Sequence, residues 1–197
     1  MSCFLHRLGA FVLAAAIFAP AAHADSGILS EVRLGVLAHD VPLLSSQKEH
    51  GADLNGELLL TSPIPASFGQ SLGPSLQWLL HPRPDLGVEL NTSGYTSQEY
   101  FGATWTAPLL GHVFGTSDGV FLGFSFGPSF NNGHVETTDP NRKSVGSNIL
   151  FRESLDLGYY VAPKVSLSLF FDHESDAGIT HKNEGLDAAG IRIGLGF

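Results

Sequence analysis

FLGFSFGPSF, residues 121–130, alternates along its length. Leu122, Phe124, Phe126 and Phe130 share one face, while Gly123, Ser125, Gly127 and Ser129 share the other. Successive side chains of an extended chain point to opposite sides, so the run reads as a strand with one apolar and one small or polar face. A soluble sandwich alternates too. The distinction lies in the face opposite the apolar one, which here is small or charged. A barrel that turns its apolar face to lipid and its polar face inward has that character.

The pattern recurs along the chain. Val32, Leu34 and Val36 alternate with Glu31, Arg33 and Gly35; Leu54, Leu58 and Leu60 oppose Asn55 and Glu57; Leu86, Val88 and Leu90 oppose Gly87, Glu89 and Asn91. Phe101, Ala103 and Trp105 oppose Gly102, Thr104 and Thr106, and Phe151, Leu155, Leu157 and Tyr159 oppose Arg152, Ser154, Asp156 and Gly158. With VSLSLFF (165–171) and the closing run Ala189–Phe197, these make eight strands. The predicted fold is therefore all-β, an eight-stranded antiparallel transmembrane β-barrel of the outer-membrane type. Side chains just fill a lumen of that size, so no pore is expected. Inward Arg33, Arg152 and Arg192 are expected to pair with Glu31, Glu57, Glu89 and Asp156, which removes the cost of an unpaired buried ion.

Segment 62–85 is too rich in proline for a regular strand, although a ninth strand is open to it. It is placed on the inner side between the second and third strands, with a helical turn around Leu76–Leu80. The longer loops, 39–53, 130–148 and 174–186, then fall together on the outer side. Trp78 and Trp105 are candidate anchors at the bilayer interfaces.

Residues 1–24 read as a cleaved signal peptide: Arg7 supplies the positive start, LGAFVLAAAIFA the apolar core and Ala22-His23-Ala24 the cleavage pattern. A single barrel domain over 25–197 is expected, and the only cysteine, Cys3, leaves with the signal. That domain carries nine Lys and Arg against nineteen Asp and Glu, a formal charge of −10. Such a surface argues against nucleic acid as a partner. After the signal no apolar run approaches the ~20 residues of a spanning helix. The predicted location is the outer membrane of a Gram-negative bacterium, and the sequence leaves a homodimer open.

VSLSLFFDHESDAG, residues 165–178, carries the chemistry. Its alternation puts His173 and Ser175 on the lipid-facing side with Leu167, Leu169 and Phe171. Pairing with the last strand can bring Asp187 opposite His173. Polar groups facing lipid are costly unless they have partners or a purpose. Imidazole, hydroxyl and carboxylate together have the composition of an activated serine nucleophile. A wetted strand rim is the plainer reading of a His-x-Ser pair. Glu153 interrupts the lipid face of the sixth strand, and one register sets it beside His173, where it could replace or supplement Asp187.

DHESDAGITHKNEGLDAAGIRIGLGF (172–197) resembles the C-terminal signature of the PagL-like lipid A 3-O-deacylases, also called acyloxyacyl hydrolases. That signature runs His-x-Ser-Asn, one or two small residues, a loop often holding Pro-Asn, and an acid entering the last strand. SEVRLGVLAHDV and LFRESLDLGYY are similar to members of the same group. The resemblance implies an eight-stranded outer-membrane enzyme that hydrolyses the ester-linked 3-position acyl chain of lipid A, the lipopolysaccharide anchor of the outer leaflet. By position it makes Ser175 the nucleophile, His173 its general base and Asp187 the orienting acid, with an oxyanion hole from Asp176, Ala177 and Gly178. It implies no cofactor and no metal, although a loop carboxylate such as Glu184 or Asp172 could hold a cation weakly. Two positions depart from the signature. Asp176 stands where it has Asn, and an ionised carboxylate repels an oxyanion; losing one oxyanion donor costs on the order of 10²–10³ in rate. Asp187 stands where the motif more often has the longer Glu. The competing expectation is a non-catalytic small barrel with a degenerate site, serving envelope structure or surface binding. The remaining histidines, His39 among them, lack ligand spacing and read as surface residues, and Arg142 and Lys143 read as charges on an outer loop that could meet lipid A phosphates.

Overall fold

Each alternating run becomes a strand, and the eight strands hydrogen-bond in sequence order until β8 meets β1 and the sheet closes. The computed structural model describes residues 27–115 and 118–197; the expected signal peptide lies outside the described residues. The elements are β1 (Leu29–Ala38), β2 (Ala52–Leu60), α1 (Pro74–Leu79), β3 (Arg83–Asn91), β4 (Gln98–Gly111), β5 (Gly119–Asn131), β6 (Ile149–Ala162), β7 (Val165–Ser175) and β8 (Leu186–Gly196). Every pairing is antiparallel, and the closing pair sets Leu34 against Ile193 and Val36 against Ile191.

The period-two reading holds around the wall. Leu34, Val36, Leu54, Phe101, Leu155, Leu169 and Ile191 are all exposed on the outside, each with more than two-fifths of its surface open. Among the described residues no helix is long and apolar enough to cross a membrane. A continuous apolar belt on strands is the surface that hydrocarbon covers.

Inside, Arg33 bonds Glu31 at 2.8 Å, Asp156 at 3.1 Å and Glu57 at 3.3 Å. Arg192 meets Glu57 at 3.1 Å and also bonds Asp156. The expected pairing is corrected at one point: Arg152 bonds Asp172 at 2.9 Å rather than Glu89, whose partner is the Gln98 amide at 3.0 Å. The lumen is also less purely small and charged than the alternation suggests. Leu37, Leu59, Tyr100, Phe121 and Phe170 are buried. Tyr100, Phe121 and Phe170 each face a glycine on the neighbouring strand, Gly87, Gly158 and Gly190. A Cβ at Gly158 would lie 2.0 Å from the Phe121 ring, so the small residues make room for inward aromatics. Those rings also cover guanidinium groups, Arg152 over Tyr100 at 3.6 Å and Arg192 over Phe170 at 3.8 Å from the ring centres.

Connections 39–51, 92–97, 132–148 and 176–185 gather at one end, and 61–82, 112–115 and 163–164 at the other. Segment 61–82 contains no strand; its helical turn is α1, opened by Pro74. It docks on the outside of β4 through two indoles. Trp78 Nε1 donates to Thr106 O and Trp105 Nε1 donates to Leu79 O, each at 2.9 Å.

Breaking the lumenal ion network tests how much closure depends on it. Arg192→Met leaves Arg33 as the one cation bonded to Glu57 and Asp156 among the described residues. The expected loss is about 3–5 kcal/mol, read as a lower urea midpoint for the heat-modifiable, folded band on electrophoresis.

Candidate active site

β7 and β8 set the site. Their register places His173 opposite Asp187, and the register of β6 with β7 places Glu153 opposite His173 and Phe151 opposite Ser175. His173 Nδ1 and Asp187 Oδ1 lie 2.5 Å apart. One proton must sit between them, and with Asp187 ionised it is the Nδ1–H that donates, so in the neutral ring Nε2 is the acceptor nitrogen. The His173 side chain is 19 % exposed, whereas that of Asp187 is wholly buried.

The second oxygen of Asp187 is held by a segment more than 140 residues away in sequence. Leu44 N and Ser45 N donate to Oδ2 at 2.7 and 2.8 Å, and the Ser45 hydroxyl donates at 3.1 Å. With four donors the carboxylate is fixed in rotation, so Asp187 reaches the imidazole although it is one methylene shorter than Glu. Glu153 is exposed and makes no hydrogen bond or ion pair among the described residues, despite its place in the register.

Ser175 is the last residue of β7. It lines a cavity of about 330 Å³ with His173, Leu44, Ser45, Ser46, Asn183, Glu184 and Gly185. Its hydroxyl makes no hydrogen bond to His173 here. Such bonds are often long in ligand-free sites and tighten around the substrate. Gly185 backs the imidazole: a Cβ there would stand 2.7 Å from His173 Cε1 and 3.0 Å from Glu174 O.

Asp176 continues the alternation and is buried on the side away from Ser175. Its carboxylate accepts from Gly178 N at 2.8 Å, from Thr180 N at 3.0 Å and from the Thr180 hydroxyl. Burial works against its ionisation, but the Thr180 hydroxyl and the turn amides outweigh it and hold its pKa below the usual aspartate value. The negative charge is therefore spent on folding the 176–185 loop. Neither Asp176, Ala177 nor Gly178 lines the cavity. The Asp176 amide donates to Asn183 Oδ1 at 3.0 Å, which fixes the orientation of the Asn183 side chain and leaves its Nδ2 as the free end. Ala177 sits in the left-handed region at φ 56°, an uncommon place for a residue with a Cβ.

Glu184 and Asp172 are both engaged by cations of the chain itself. Glu184 takes Lys48 Nζ at 2.5 Å and Ser144 N at 2.7 Å. Asp172 is not in a loop but in the lumenal wall, bonded to Arg152. Two further readings are corrected. Lys143 is wholly buried, and Arg142 lies over the Tyr95 ring while donating to Gly94 O, so neither is a free loop charge. His39 is buried between Asp53, 2.7 Å from Nδ1, and Glu49, 3.1 Å from Nε2.

Sequence reading missed the Leu44–Ser45 strap, Gly185 and Asn183. For the strap no local signal exists, because its partner is on the last strand. For Asn183 there was one: the signature's loop often holds an Asn, and the loop here contains Asn183.

In sequence, the family described as "Lipid A 3-O-deacylase (PagL)" matches residues 66–196. No curated protein matches the chain. Among solved structures, the crystal structure of the outer membrane enzyme PagL superposes with a TM-score of 0.61 at 15 % identity, covering 85 % of this chain and 100 % of that one. At that identity it is a likeness of fold. Neisserial surface protein A (NspA) gives 0.49 at 10 % identity over 85 % of this chain and 96 % of that one. The N-terminal β-barrel domain of Pseudomonas aeruginosa OprF gives 0.46 at 10 % over 87 % and 98 %.

Two outcomes test the geometry. Gly185→Ala should displace the imidazole and abolish the downfield His173 Nδ1 proton resonance in NMR while the barrel stays folded. The loop cap should also respond to pH through His39 and Glu49. Burial opposes the His39 charge, but hydrogen bonds and attraction from Asp53 and Glu49 outweigh it and raise its pKa from 6.5 to about 9. Burial likewise opposes the Glu49 charge, and the bonds from His39, Thr96 and Lys143 lower its pKa from 4.5 to about 2. A raised histidine stabilises fully below 6.5 and loses that contribution as pH rises through 9; a lowered glutamate does so above 4.5 and loses it as pH falls through 2. Cleavage of the outer loops by a pH-tolerant protease should therefore be slowest between about pH 4.5 and 6.5 and increase at pH 10.

Proposed function

The chain belongs to the lipid A 3-O-deacylase (PagL) family, and from that premise we propose that Ser175, His173 and Asp187 hydrolyse the 3-O-acyl ester from the lipid-facing wall of this outer-membrane barrel. The observation that carries the reading is the bond from His173 Nδ1 to an Asp187 fixed by three other donors, beside a serine that opens onto the same cavity.

The ester of lipid A lies at the roots of the acyl chains, so a catalyst must approach from the outer wall. Substrate enters sideways from the leaflet, with its acyl chain along the apolar belt below Ser175. His173 Nε2 takes the Ser175 proton as Oγ attacks the ester carbonyl. Asp187 stabilises the imidazolium and does not itself take the proton. The tetrahedral intermediate collapses as the C–O bond to the sugar breaks, and His173 returns its proton to the departing 3-hydroxyl oxygen. Water, deprotonated by the same imidazole, then attacks the acyl-serine; the 3-hydroxy fatty acid leaves and Ser175 is restored.

Asn183 Nδ2, on a side chain that lines the cavity with Ser175, is the donor this reading assigns to the oxyanion. Gly178 N–H and Asp176 N–H already have partners within the loop. On this assignment Asp176 costs the enzyme little, because the donor comes from Asn183 and the carboxylate is turned into the loop. All the groups belong to one chain, so the chemistry asks for no second copy.

Folded protein incubated with lipopolysaccharide should release 3-hydroxy fatty acid, followed by mass spectrometry. Ser175→Ala should abolish release, and Asp187→Asn should lower kcat on the order of 10⁴-fold. Asp176→Asn should stay near the parent rate, and Glu153→Gln should not reproduce the Asp187→Asn loss. Release unaffected by Ser175→Ala removes the nucleophile assignment, and activity appearing only in Asp176→Asn favours the degenerate barrel.

A further inference from the structure

A lysine with no exposed side-chain surface is rare unless every proton on its ammonium has an acceptor. Lys143 has three partners. Its Nζ lies 2.7 Å from Asp40 Oδ1, 2.9 Å from Ser45 Oγ and 2.6 Å from Gly185 O, and its side chain is 0 % exposed. Its backbone amide also donates to Glu49 Oε1 at 3.1 Å. These partners, the Asp40 counter-ion and the two acceptors, come from three places that matter to the site: the start of the 39–51 loop, the strap that binds Asp187, and the glycine against the His173 ring.

We propose that Lys143 is a positioning residue for the ester-hydrolysing site, acting through Ser45 on Asp187. The argument is one of donor and acceptor roles. An ammonium can only donate, so Ser45 Oγ must accept from Lys143, and its own proton is thereby aimed at Asp187 Oδ2, 3.1 Å away. The strap amides Leu44 N and Ser45 N reach the same oxygen because the loop is folded tightly here. Asp40 makes that fold. It sits at φ 51°, accepts Lys48 N at 2.7 Å and Glu49 N at 2.8 Å on Oδ2, and presents Oδ1 to Lys143. The bond to Gly185 O ties the other side of the cavity to the same charge. One ammonium thus sets the donor that orients the acid and anchors the glycine that backs the base. It touches neither substrate nor reacting atoms.

The inference rests on the Ser175–His173–Asp187 reading, and the experiment separates the two. Lys143→Met keeps the length of the side chain and removes the charge. Activity on lipopolysaccharide is measured per folded molecule, counted by heat-modifiable mobility. The expected result is a kcat lower by roughly 10–100-fold with KM little changed, and loss of the downfield His173 Nδ1 proton resonance. In an Asp187→Ala background, Lys143→Met should cost nothing further, because its route to the site is already cut. If Lys143→Met does not fold, the pair Asp40→Asn/Lys143→Met, which leaves no buried charge alone, goes through the same cycle and the same NMR measurement. An unchanged resonance, or an equal fall in both backgrounds, overturns the proposal. Ser175→Ala is the control: activity surviving in it defeats the triad reading, whereas activity lost in it alongside a silent Lys143→Met defeats only this inference.

Discussion

Arg33 and Arg192, together with Glu57 and Asp156, form the ionic knot on which the barrel depends. The two arginines stand on the strands that close the sheet, β1 and β8, and the two carboxylates on β2 and β6. Buried charges that pair across four strands are satisfied only when those strands are in place together. A flat or open sheet would leave Asp156 far from Arg33 and expose the knot to water. The wall can therefore turn its whole apolar face outward, because the polar half of every strand is satisfied within. Aromatic rings set against glycines fill what remains of the lumen, and the guanidinium groups lie over two of those rings.

The site uses the same alternation with a different outcome. Two residues past the apolar stretch of β7, the lipid-facing positions become His173 and Ser175. The strand carries them past its apolar stretch to its outer end. The acid comes from the neighbouring strand by register alone, and the outer loops supply what makes it useful. The strap at Leu44–Ser45 binds one oxygen of Asp187 so that the other is left for the imidazole. The 176–185 loop is folded by Asp176 and presents Asn183 to the cavity. His173, Ser175 and Asp187 thus stand on paired strands, and the groups that orient them come from loops whose own charges are paired beneath the surface.

Asp176 shows how misleading a position can be when its direction is unknown. As a letter beside Ser175 it reads as a charge placed against a developing oxyanion. In the fold it is a turn-builder on the opposite side of the chain. Lys143 is the reverse case. In a loop rich in turn residues it reads as a solvated cation, and it proves to be the buried hub of three segments. Glu153 occupies the register position that the sequence allowed, yet the histidine's bond goes to Asp187.

Period-two alternation was enough to mark the strands and their inward and outward faces and to lead to a barrel, and it allowed, without fixing, the register that sets His173 against Asp187. Those properties follow from local geometry, since each residue's side is fixed by its neighbours along the chain. The tertiary structure alone decided which acid holds the imidazole, where the Asp176 charge points, and that Lys143 and His39 are buried. These depend on loops that meet only after the barrel has closed, between residues as distant as Ser45 and Asp187, and no periodicity along the chain records such a meeting.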